Sequence, residues 1–280
     1  MQGLKGKVAM VTGCAGERGV GRAIARRLAH EGADLVLTDV TAGGTRVVPT
    51  MPVGQWAGLE AVAAEVRGLG LRALTARLDV RSAAEIDSVL RQALQMFGRL
   101  DILVNNAAAP PGADRVPVVQ LAEDAWAAVL AVNLTGSFLC AKAAATVMLQ
   151  HKIRGRIINI GSDNSKIGQP NLAAYCASKF GLVGFAQALA MELGPAGITV
   201  NTICPGPMDT ERVDYFGRRD DGSYDEARRR ERIRKLTEEV PLGRLATPGD
   251  VAEVAAFLAS EAAAAITGQA INVDGGVVKH

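Results

Sequence analysis

Short aliphatic runs alternate with longer stretches of helical pattern along the whole chain, and this alternation restricts the fold more than any other feature. Continuous aliphatic strands are buried on both faces, and strands separated by helices pair in parallel with helices covering both sides of the sheet. We therefore predict an α/β fold, a doubly wound parallel sheet in a single domain over residues 1–280. The predicted strands are residues 8–12, 34–38, 72–78, 100–104, 156–160, 198–203 and 269–273, and the predicted helices are residues 19–31, 58–69, 83–97, 123–150, 173–193 and 248–260.

Two long segments interrupt this alternation. Residues 40–57 are rich in proline and glycine, and residues 207–246 are highly charged. Both follow the carboxyl end of a predicted strand, which is the side of such a sheet where ligands bind. Loops of this length in a compact domain are usually functional or disordered. We predict an insertion at about 40–57 beside a nucleotide and a substrate lid at about 207–246, with solvated insertions that take no part in catalysis as the alternative.

The first predicted strand ends in a glycine-rich segment that leads into a helix. Thr12 closes the strand, and glycines follow at positions 13, 16, 19 and 21. Glycines let the backbone approach a pyrophosphate closely, and the free N–H groups and dipole of a helix N-terminus stabilise the anion. The order of strand, glycines, helix and second strand predicts a dinucleotide site.

Asp39 follows the second predicted strand and bears on the choice of cofactor. A carboxylate at this position accepts hydrogen bonds from the hydroxyls of an adenosine ribose and repels a 2′-phosphate, so we predict NAD. Arg18 lies in the glycine-rich segment and could instead pair with a 2′-phosphate. NADP is therefore the alternative.

Tyr175 and Lys179 are spaced four residues apart in a predicted helix, so their side chains share one face. A free phenol has a pKa of about 10 and is a poor base at neutral pH. A neighbouring ammonium stabilises the tyrosinate and makes tyrosine a usable general acid/base. Ser162 lies upstream and could supply a hydroxyl to the same reacting oxygen.

Composition excludes several other classes of protein. The net charge of +2 gives no strong attraction to nucleic acid or to a membrane surface. The four cysteines have no CxxC or zinc-ligand spacing, and the three histidines are scattered, so we predict no metal site. The start of the chain lacks the apolar run of a signal peptide, and no uninterrupted apolar run reaches the length of a bilayer span. We expect a cytoplasmic protein.

Residues 225–235 are rich in arginine and resemble a nucleic-acid patch at first sight. Acids at 225, 226 and 231 stand four residues before bases at 229, 230 and 235. This is the favourable order of charges on a helix, so we predict a solvated lid helix, with nucleic-acid binding as the alternative.

Together these motifs make the chain similar, along nearly its whole length, to the short-chain dehydrogenase/reductase family, whose fold is of the Rossmann type. Residues 12–21 resemble the family's glycine motif, with two additional residues near Glu17 and Arg18. The other matching motifs are Asp79-Val80, Asn105-Asn106-Ala107-Ala108, Asn133, Ser162 with Tyr175 and Lys179, Pro205-Gly206 with Thr210, Ile266-Thr267-Gly268-Gln269 and Val273-Asp274-Gly275-Gly276.

The resemblance implies a mechanism. Tyr175 would exchange a proton with the substrate oxygen, Ser162 would hold that oxygen, and Lys179 would lower the tyrosine pKa and bind the nicotinamide ribose. Asn133 would anchor a water on the proton path, although a polar side chain satisfied inside the helical layer is the competing interpretation. The implied cofactor-binding residues are Gly13, Arg18, Gly19, Val20, Gly21, Asp39, Asp79, Val80, Asn106, Ala107, Tyr175, Lys179, Pro205, Gly206 and Thr210.

The predicted function is hydride transfer between NAD(H) and a small-molecule secondary alcohol or ketone. The alternatives are an NADPH-dependent ketoreductase and a non-catalytic nucleotide-sensing protein of the same fold. Beside Ser162, the candidate substrate residues are Tyr215 and Phe216 in the charged loop, with Asp163 and Asn164, which either line a polar pocket or cap a turn.

The resemblance also implies a homotetramer. The predicted helices 123–150 and 173–193 carry many small residues that allow close helix approach, and we expect them in a dimer interface with closed symmetry.

Overall fold

The computed structural model describes residues 3–44, 56–219 and 221–280. Seven parallel strands form one sheet in the order β3-β2-β1-β4-β5-β6-β7. They are β1 Val8–Thr12, β2 Asp34–Asp39, β3 Ala73–Arg77, β4 Ile102–Asn105, β5 Arg156–Ile160, β6 Thr199–Pro205 and β7 Ala270–Val273. This confirms the predicted α/β, doubly wound parallel sheet, and each predicted strand lies within about two residues of the observed one.

Helices cover both faces of the sheet. They are α1 Val20–His30, α2 Leu59–Gly68, α3 Ala83–Phe97, α4 Glu123–Leu130, α5 Ser137–Gln150, α6 Ala173–Leu193, α7 Glu226–Glu238 and α8 Pro248–Ala259. One buried cluster joins α1, α2 and α8 to the sheet, and a second joins α3, α5 and α6 to the opposite face. Both faces of each inner strand are therefore apolar, which is why these strands are aliphatic without alternation.

The strand order reverses at β1, which pairs with β2 on one side and with β4 on the other. The connections from these neighbours leave in opposite directions, so a crevice opens at their carboxyl ends. Thr12 and Asn105 end two of these strands, and Ile160 ends β5, which places the glycine segment and the residues before Ser162 at the same edge.

The predicted helix 123–150 is continuous but is not α-helical throughout. Ala131–Gly136 is a π-helical turn between α4 and α5, and it contains Asn133. Such turns break the α-helical repeat and often occur at functional sites. Glu123–Gln150 is long and apolar enough to cross a membrane by length and composition alone, as core helices can be. Here it packs against α6 and α3.

The described residues of the charged segment after β6 form regular structure. Glu211–Gly217 forms a 3₁₀ helix, and α7 follows after a turn. Two of the three predicted charge pairs form on α7, where Glu226 binds Arg230 at 2.9 Å and Glu231 binds Lys235 at 3.5 Å. The third prediction, Asp225 with Arg229, is wrong, because the Arg229 side chain is buried and binds Asp214 instead.

The predicted insertion at 40–57 is described only at its two ends, because residues 45–55 lie outside the described residues. Val40 lines the crevice at the carboxyl ends of the strands. At the other end, the Trp56 Nε1 atom donates a hydrogen bond to the Ala15 carbonyl at 2.6 Å, and the Arg22 guanidinium lies 4.4 Å from the Trp56 ring centroid. Both ends of the insertion therefore lie beside the glycine segment.

Three of the cysteines are buried, and burial raises the pKa of the thiols of Cys14, Cys140 and Cys204. For Cys140 the pKa rises to about 12. A neutral, buried thiol is a small hydrophobic group, as the cysteine spacing predicts. Within the described ranges, no cluster of histidine, cysteine or acidic side chains could hold a metal ion.

Candidate active site

A cleft of about 650 Å³ lies at the carboxyl edge of the sheet and collects most of the predicted site residues. Its walls come from the glycine segment, the ends of β2, β4 and β5, helix α6 and the segment after β6. The predicted residues that line it are Gly13, Gly19, Val20, Asp39, Asp79, Val80, Asn106, Ala107, Ser162, Asp163, Asn164, Tyr175, Lys179, Pro205, Gly206, Thr210, Tyr215 and Phe216.

Tyr175 and Lys179 occupy the first two turns of α6 and both face the cleft. The Lys179 Nζ atom lies 5.8 Å from the Tyr175 ring centroid. It donates a hydrogen bond to the Ile160 carbonyl at 2.7 Å, and the side chain is buried. This bond holds the ammonium at the end of β5, on the side of the helix that carries the tyrosine.

Two arginines that the sequence analysis did not single out also flank Tyr175. The guanidinium carbons of Arg115 and Arg212 lie 5.1 Å and 4.9 Å from its ring centroid. Arg115 belongs to the loop after β4, and Arg212 to the 3₁₀ helix of the charged segment. Neither position carries a sequence signal, because the two loops meet only through the fold.

These cations set the acidity of Tyr175. Partial burial acts to raise the phenol pKa, but Arg212, Lys179, the Ser162 hydroxyl and Arg115 together outweigh it, so the pKa lies below its ordinary value. Positive charge stabilises the tyrosinate, which makes the side chain a better base near neutral pH. The predicted effect of Lys179 on the tyrosine pKa is therefore shared with two arginines.

Ser162 caps the short helix Asp163–Ser165 at the end of β5. Its hydroxyl donates to the Asp163 Oδ1 atom at 2.6 Å and accepts the Asn164 backbone N–H at 3.2 Å. Burial raises the pKa of Asp163, against the stabilising bonds from Ser162 and the Asn164 backbone. Asp163 and Asn164 lie within this turn and line the cleft, while the capping residue is Ser162.

Asn133 does not lie on the wall of the cleft. Its Nδ2 atom donates to the Ser178 hydroxyl at 3.0 Å, and its Oδ1 atom accepts the Ala109 N–H at 2.8 Å. Its carbonyl accepts the Ser137 hydroxyl at 2.8 Å. The side chain is satisfied inside the helical layer and connects the π-helical turn to α6 and to the loop after β4. The water that Asn133 would anchor on the proton path stays a prediction.

Asn106 and Thr12 hold the glycine turn in place through hydrogen bonds. The Asn106 amide donates to the carbonyls of Thr12 and Gly13 at 2.9 and 2.7 Å, and the Thr12 hydroxyl accepts the Asn106 and Ala107 N–H groups. Gly13 has a φ of +68°, and a Cβ there would lie 2.7 Å from the Ala107 Cα atom. Only glycine fits this close approach. Asn106 therefore positions the turn, although we predicted it to bind the cofactor.

Asp39 is held at the end of β2 by the backbone. Its carboxylate accepts the Ala15 N–H at 3.0 Å and the Thr41 N–H at 3.3 Å. Burial raises the pKa of Asp39, and these hydrogen bonds oppose the rise. A carboxylate oxygen has two lone-pair sites, so each oxygen can still accept a hydrogen bond from a ligand hydroxyl.

Arg18 does not face the cleft as a partner for a 2′-phosphate, which corrects one prediction. The two additional residues of the glycine motif form a turn that carries Arg18 toward the charged segment. Its Nη2 atom binds the Asp214 Oδ2 atom at 2.6 Å, and its Nη1 atom lies 3.3 Å from the Asp209 Oδ1 atom. Its backbone N–H donates to Glu211. The guanidinium is therefore committed to the charged segment after β6.

Asp79, Val80 and Gly206 also line the cleft, whereas Gly21 does not. Asp79 and Val80 line the cleft beyond β3, and Arg81 binds Asp79 at 2.6 Å. Gly206 packs tightly on the chain after β7, since a Cβ there would lie 2.7 Å from the Asp274 Cβ atom.

The residues present fit a dinucleotide. Helix α1 begins after Gly19, which has no side chain to cap the free N–H groups, so these groups are available to a pyrophosphate. Asp39 ends β2 and Lys179 contacts the end of β5, and β1 and β4 lie between these two strands. Asp39 therefore stands toward one end of the cleft, where it can accept ribose hydroxyls, and Tyr175 and Lys179 stand toward the other. The donor and acceptor groups thus run in the order that an adenosine, a pyrophosphate and a nicotinamide riboside require.

Comparisons with known proteins agree with this geometry. A sequence model of a family described as enoyl-(acyl carrier protein) reductase matches residues 13–278. A short-chain dehydrogenase/reductase of Armillaria gallica is 40% identical over 277 residues, covering 98% of this chain and 97% of that protein. A 3-oxoacyl-[acyl-carrier-protein] reductase of Synechocystis sp. is 37% identical and covers 99% of both chains.

A solved structure is similar over the same length. The crystal structure of carveol dehydrogenase from Mycobacterium avium in complex with NAD has a TM-score of 0.85 and 31% identity, covering 98% of each chain. The family model, the identities and the shared fold agree along nearly the whole sequence. The chain therefore belongs to the short-chain dehydrogenase/reductase family of oxidoreductases.

Proposed function

We propose that this protein transfers a hydride between NAD(H) and a secondary alcohol or ketone, with Tyr175 as the general acid/base. The observation that carries the proposal is the convergence of Tyr175, Lys179 and Ser162 at one end of a cleft whose other end holds Asp39. A protein that only senses a nucleotide has no use for an acidified tyrosine at the substrate end.

The residues of the cleft have separate roles in proton transfer, substrate binding and cofactor binding. Tyr175 gives a proton to the ketone oxygen or takes it from the alcohol, and the cations around the ring keep the tyrosinate accessible. Ser162 holds the same oxygen once the substrate takes over the hydrogen bond that Asp163 now accepts. Gly13, Gly19 and Asp39 would hold the dinucleotide, and Lys179 its ribose. NAD(H), when bound, takes or supplies the hydride.

The preference for NAD follows from the charges near the ribose end. Asp39 is an acid without a cationic partner among the described residues, and it would repel a 2′-phosphate. Arg18 is bound to Asp214, and Arg81 is bound to Asp79. Neither arginine is free to offset this repulsion, which supports NAD over NADP.

The test is a screen of secondary alcohols and ketones with NAD(H) and NADP(H), followed at the nicotinamide absorbance. Tyr175→Phe keeps the ring but cannot carry a proton, so we expect turnover to fall by a factor of about 10² to 10⁴ while NAD binding persists. Cys176→Ser, a neighbouring change in the same helix turn, is the control and should retain activity. Activity of Tyr175→Phe within tenfold of the wild type contradicts the proposed role.

The second candidate function is an NADPH-dependent ketoreductase. It is favoured by the relative named 3-oxoacyl-[acyl-carrier-protein] reductase, which is similar over the whole chain. The same screen distinguishes the two functions, because a higher kcat/KM with NADPH than with NADH in ketone reduction supports the second.

We also propose that residues 207–246 act as a substrate lid. Met208, Arg212, Tyr215, Phe216 and Arg232 come from this segment and line the cleft. A segment that supplies one wall of the cleft controls access to Tyr175, and its movement would open and close the site.

A further inference from the structure

The two arginines beside Tyr175 place positive charge at the substrate end of the cleft. The Arg212 NH1 atom donates to the Ala109 carbonyl at 2.7 Å, which uses one of its five donors. Among residues 3–44, 56–219 and 221–280, no carboxylate lies within ion-pair distance of Arg212. An arginine held in a cleft without a counter-charge is a binding site for an anion.

Arg115 is compensated only in part. Its Nε atom is buried and, among the described residues, has no hydrogen-bond partner. The nearest carboxylate oxygen, Asp114 Oδ2, lies 3.4 Å away. Burial and the neighbouring Arg212 lower the pKa of Arg115, against the attraction of Asp114. Burying a donor without a partner costs free energy, and an anionic ligand would remove that cost.

The other charges of this part of the cleft do not neutralise the pair. Asp163 is hydrogen-bonded to Ser162 and to the Asn164 backbone, and Lys179 adds a further cation beside the tyrosine. Arg232 also lines the cleft, with its guanidinium 5.5 Å from the Phe216 ring centroid. Glu211 lines the cleft as well, but its carboxylate lies at the glycine segment, where it accepts the Arg18 N–H. Around Tyr175 the cations Arg115, Arg212 and Lys179 therefore outnumber the acids.

We propose that Arg115 and Arg212 form an anion-binding subsite, and that the substrate is a ketone or secondary alcohol with a carboxylate within a few bonds of the reacting carbon. The guanidinium carbons of the two arginines lie 5.1 Å and 4.9 Å from the Tyr175 ring centroid. An anion that they hold would therefore lie next to the reacting carbon, whose oxygen exchanges a proton with the phenol. The planar fork of a guanidinium matches a carboxylate in two parallel hydrogen bonds. This inference rests on the proposed function.

The experiment compares keto acids with their uncharged esters. The substrates are acetoacetate and levulinate, their methyl esters, and acetonylsulfonate as a tetrahedral oxyanion. The proteins are the wild type, Arg115→Gln and Arg212→Gln, with Arg218→Gln as control, because Arg218 is an exposed arginine of the same segment that does not line the cleft. Ketone reduction is measured on the low-pH plateau of the rate profile. Tyr175 is fully protonated there in every variant, so a change in its pKa does not alter the fraction of active enzyme.

We expect the wild type and Arg218→Gln to reduce the acids with a kcat/KM about tenfold to a hundredfold above that of the esters. Each cleft variant should lose most of this preference, mainly through a higher KM for the acid. A change in kcat that acid and ester share would report the effect of the arginine on Tyr175 and leave the ratio of acid to ester unaltered. An equal loss for acid and ester would show that the arginines serve only Tyr175, and a raised KM for NADH alone would assign them to the cofactor. Either result overturns the inference, and preference for the sulfonate alone overturns the carboxylate assignment.

A binding measurement separates this inference from the proposed function. Calorimetric titration of levulinate into the wild type with NAD should show binding that is lost in Arg212→Gln and kept in Arg218→Gln. If uncharged ketones are reduced and levulinate neither binds nor reacts, the subsite is wrong and the oxidoreductase proposal stands. If no ketone or alcohol reacts, the proposed function fails, and levulinate binding still decides whether the subsite exists.

Discussion

Arg18 of the glycine segment binds Asp214 of the lid segment at 2.6 Å, across 196 residues of chain. Asp214 is buried and also accepts a hydrogen bond from the Arg229 Nε atom at 2.8 Å. Asp209 contacts both arginines, and Glu211 accepts the Arg18 backbone N–H. The wall of the substrate site is thus fastened directly to the loop that would hold the pyrophosphate, so binding of one ligand is expected to affect the other.

Asp214→Asn tests the ion pairs that connect the charged segment to the glycine segment. Loss of this buried carboxylate leaves the Arg18 and Arg229 guanidiniums relying on the exposed Asp209, and breaking a buried pair such as Asp214–Arg229 costs about 3–5 kcal/mol at most. We expect faster hydrogen exchange in residues 211–238, a higher KM for substrate and a weaker response of that exchange to NAD. The matched control is Asp221→Asn, an exposed acid of the same segment outside this network. Unchanged exchange in Asp214→Asn would remove the ion pairs from control of the lid.

The dependence of activity on pH should report the cations around Tyr175. Alcohol oxidation needs the tyrosinate, so kcat/KM should rise with pH and level off above the phenol pKa, which lies below its ordinary value. Ketone reduction needs the phenol and should show the opposite trend. Arg212→Gln removes a cation that lowers this pKa, so the midpoint should move to higher pH. An unmoved midpoint in rate profiles would show that Arg212 does not tune the tyrosine.

Asp39→Asn should relax the choice of cofactor while keeping the glycine segment in place. The amide oxygen can still accept the Ala15 N–H, but the negative charge is gone. Like charges placed together cost several kcal/mol, and about 1.4 kcal/mol is a factor of ten, so the ratio of kcat/KM for NAD to that for NADP should fall about tenfold or more. Asp39→Ala loses the hydrogen bond as well and should weaken both cofactors. A wild-type enzyme that prefers NADP would contradict the assignment.

The assembly prediction concerns the exposed apolar residues of α5 and α6. Phe138 is 42% exposed and Phe180 is 45% exposed, and both lie on the helices that we predict to form a dimer interface. We expect a tetramer in sedimentation at micromolar concentration, and Phe138→Glu or Phe180→Glu should dissociate it, because a charge buried without a partner is costly. Leu242→Glu, on an exposed residue outside these helices, is the control. A monomeric wild type would contradict the prediction.

The sequence predicted most of the fold because its signals are local. Aliphatic runs and amphipathic stretches follow from how each segment is buried, so helix α3 and strand β5 were placed at their observed bounds. The glycines after Thr12 and the Tyr175–Lys179 spacing were readable for the same reason, since each depends on the geometry of one turn or one helix. What the pattern could not show was the π-helical turn around Asn133, which needs the contacts of α6 and the loop after β4 to satisfy its amide.

By itself, the sequence determined the order of the elements, the doubly wound sheet, the dinucleotide signature and the tyrosine–lysine pair. Only the tertiary structure decided that Arg115 and Arg212 flank Tyr175, that Arg18 binds the lid rather than a 2′-phosphate, and that Arg229 is buried. The reason is physical. Charged residues in loops show no periodic pattern in the sequence. Their partners depend on which loops the connections between strands bring to the same edge of the sheet.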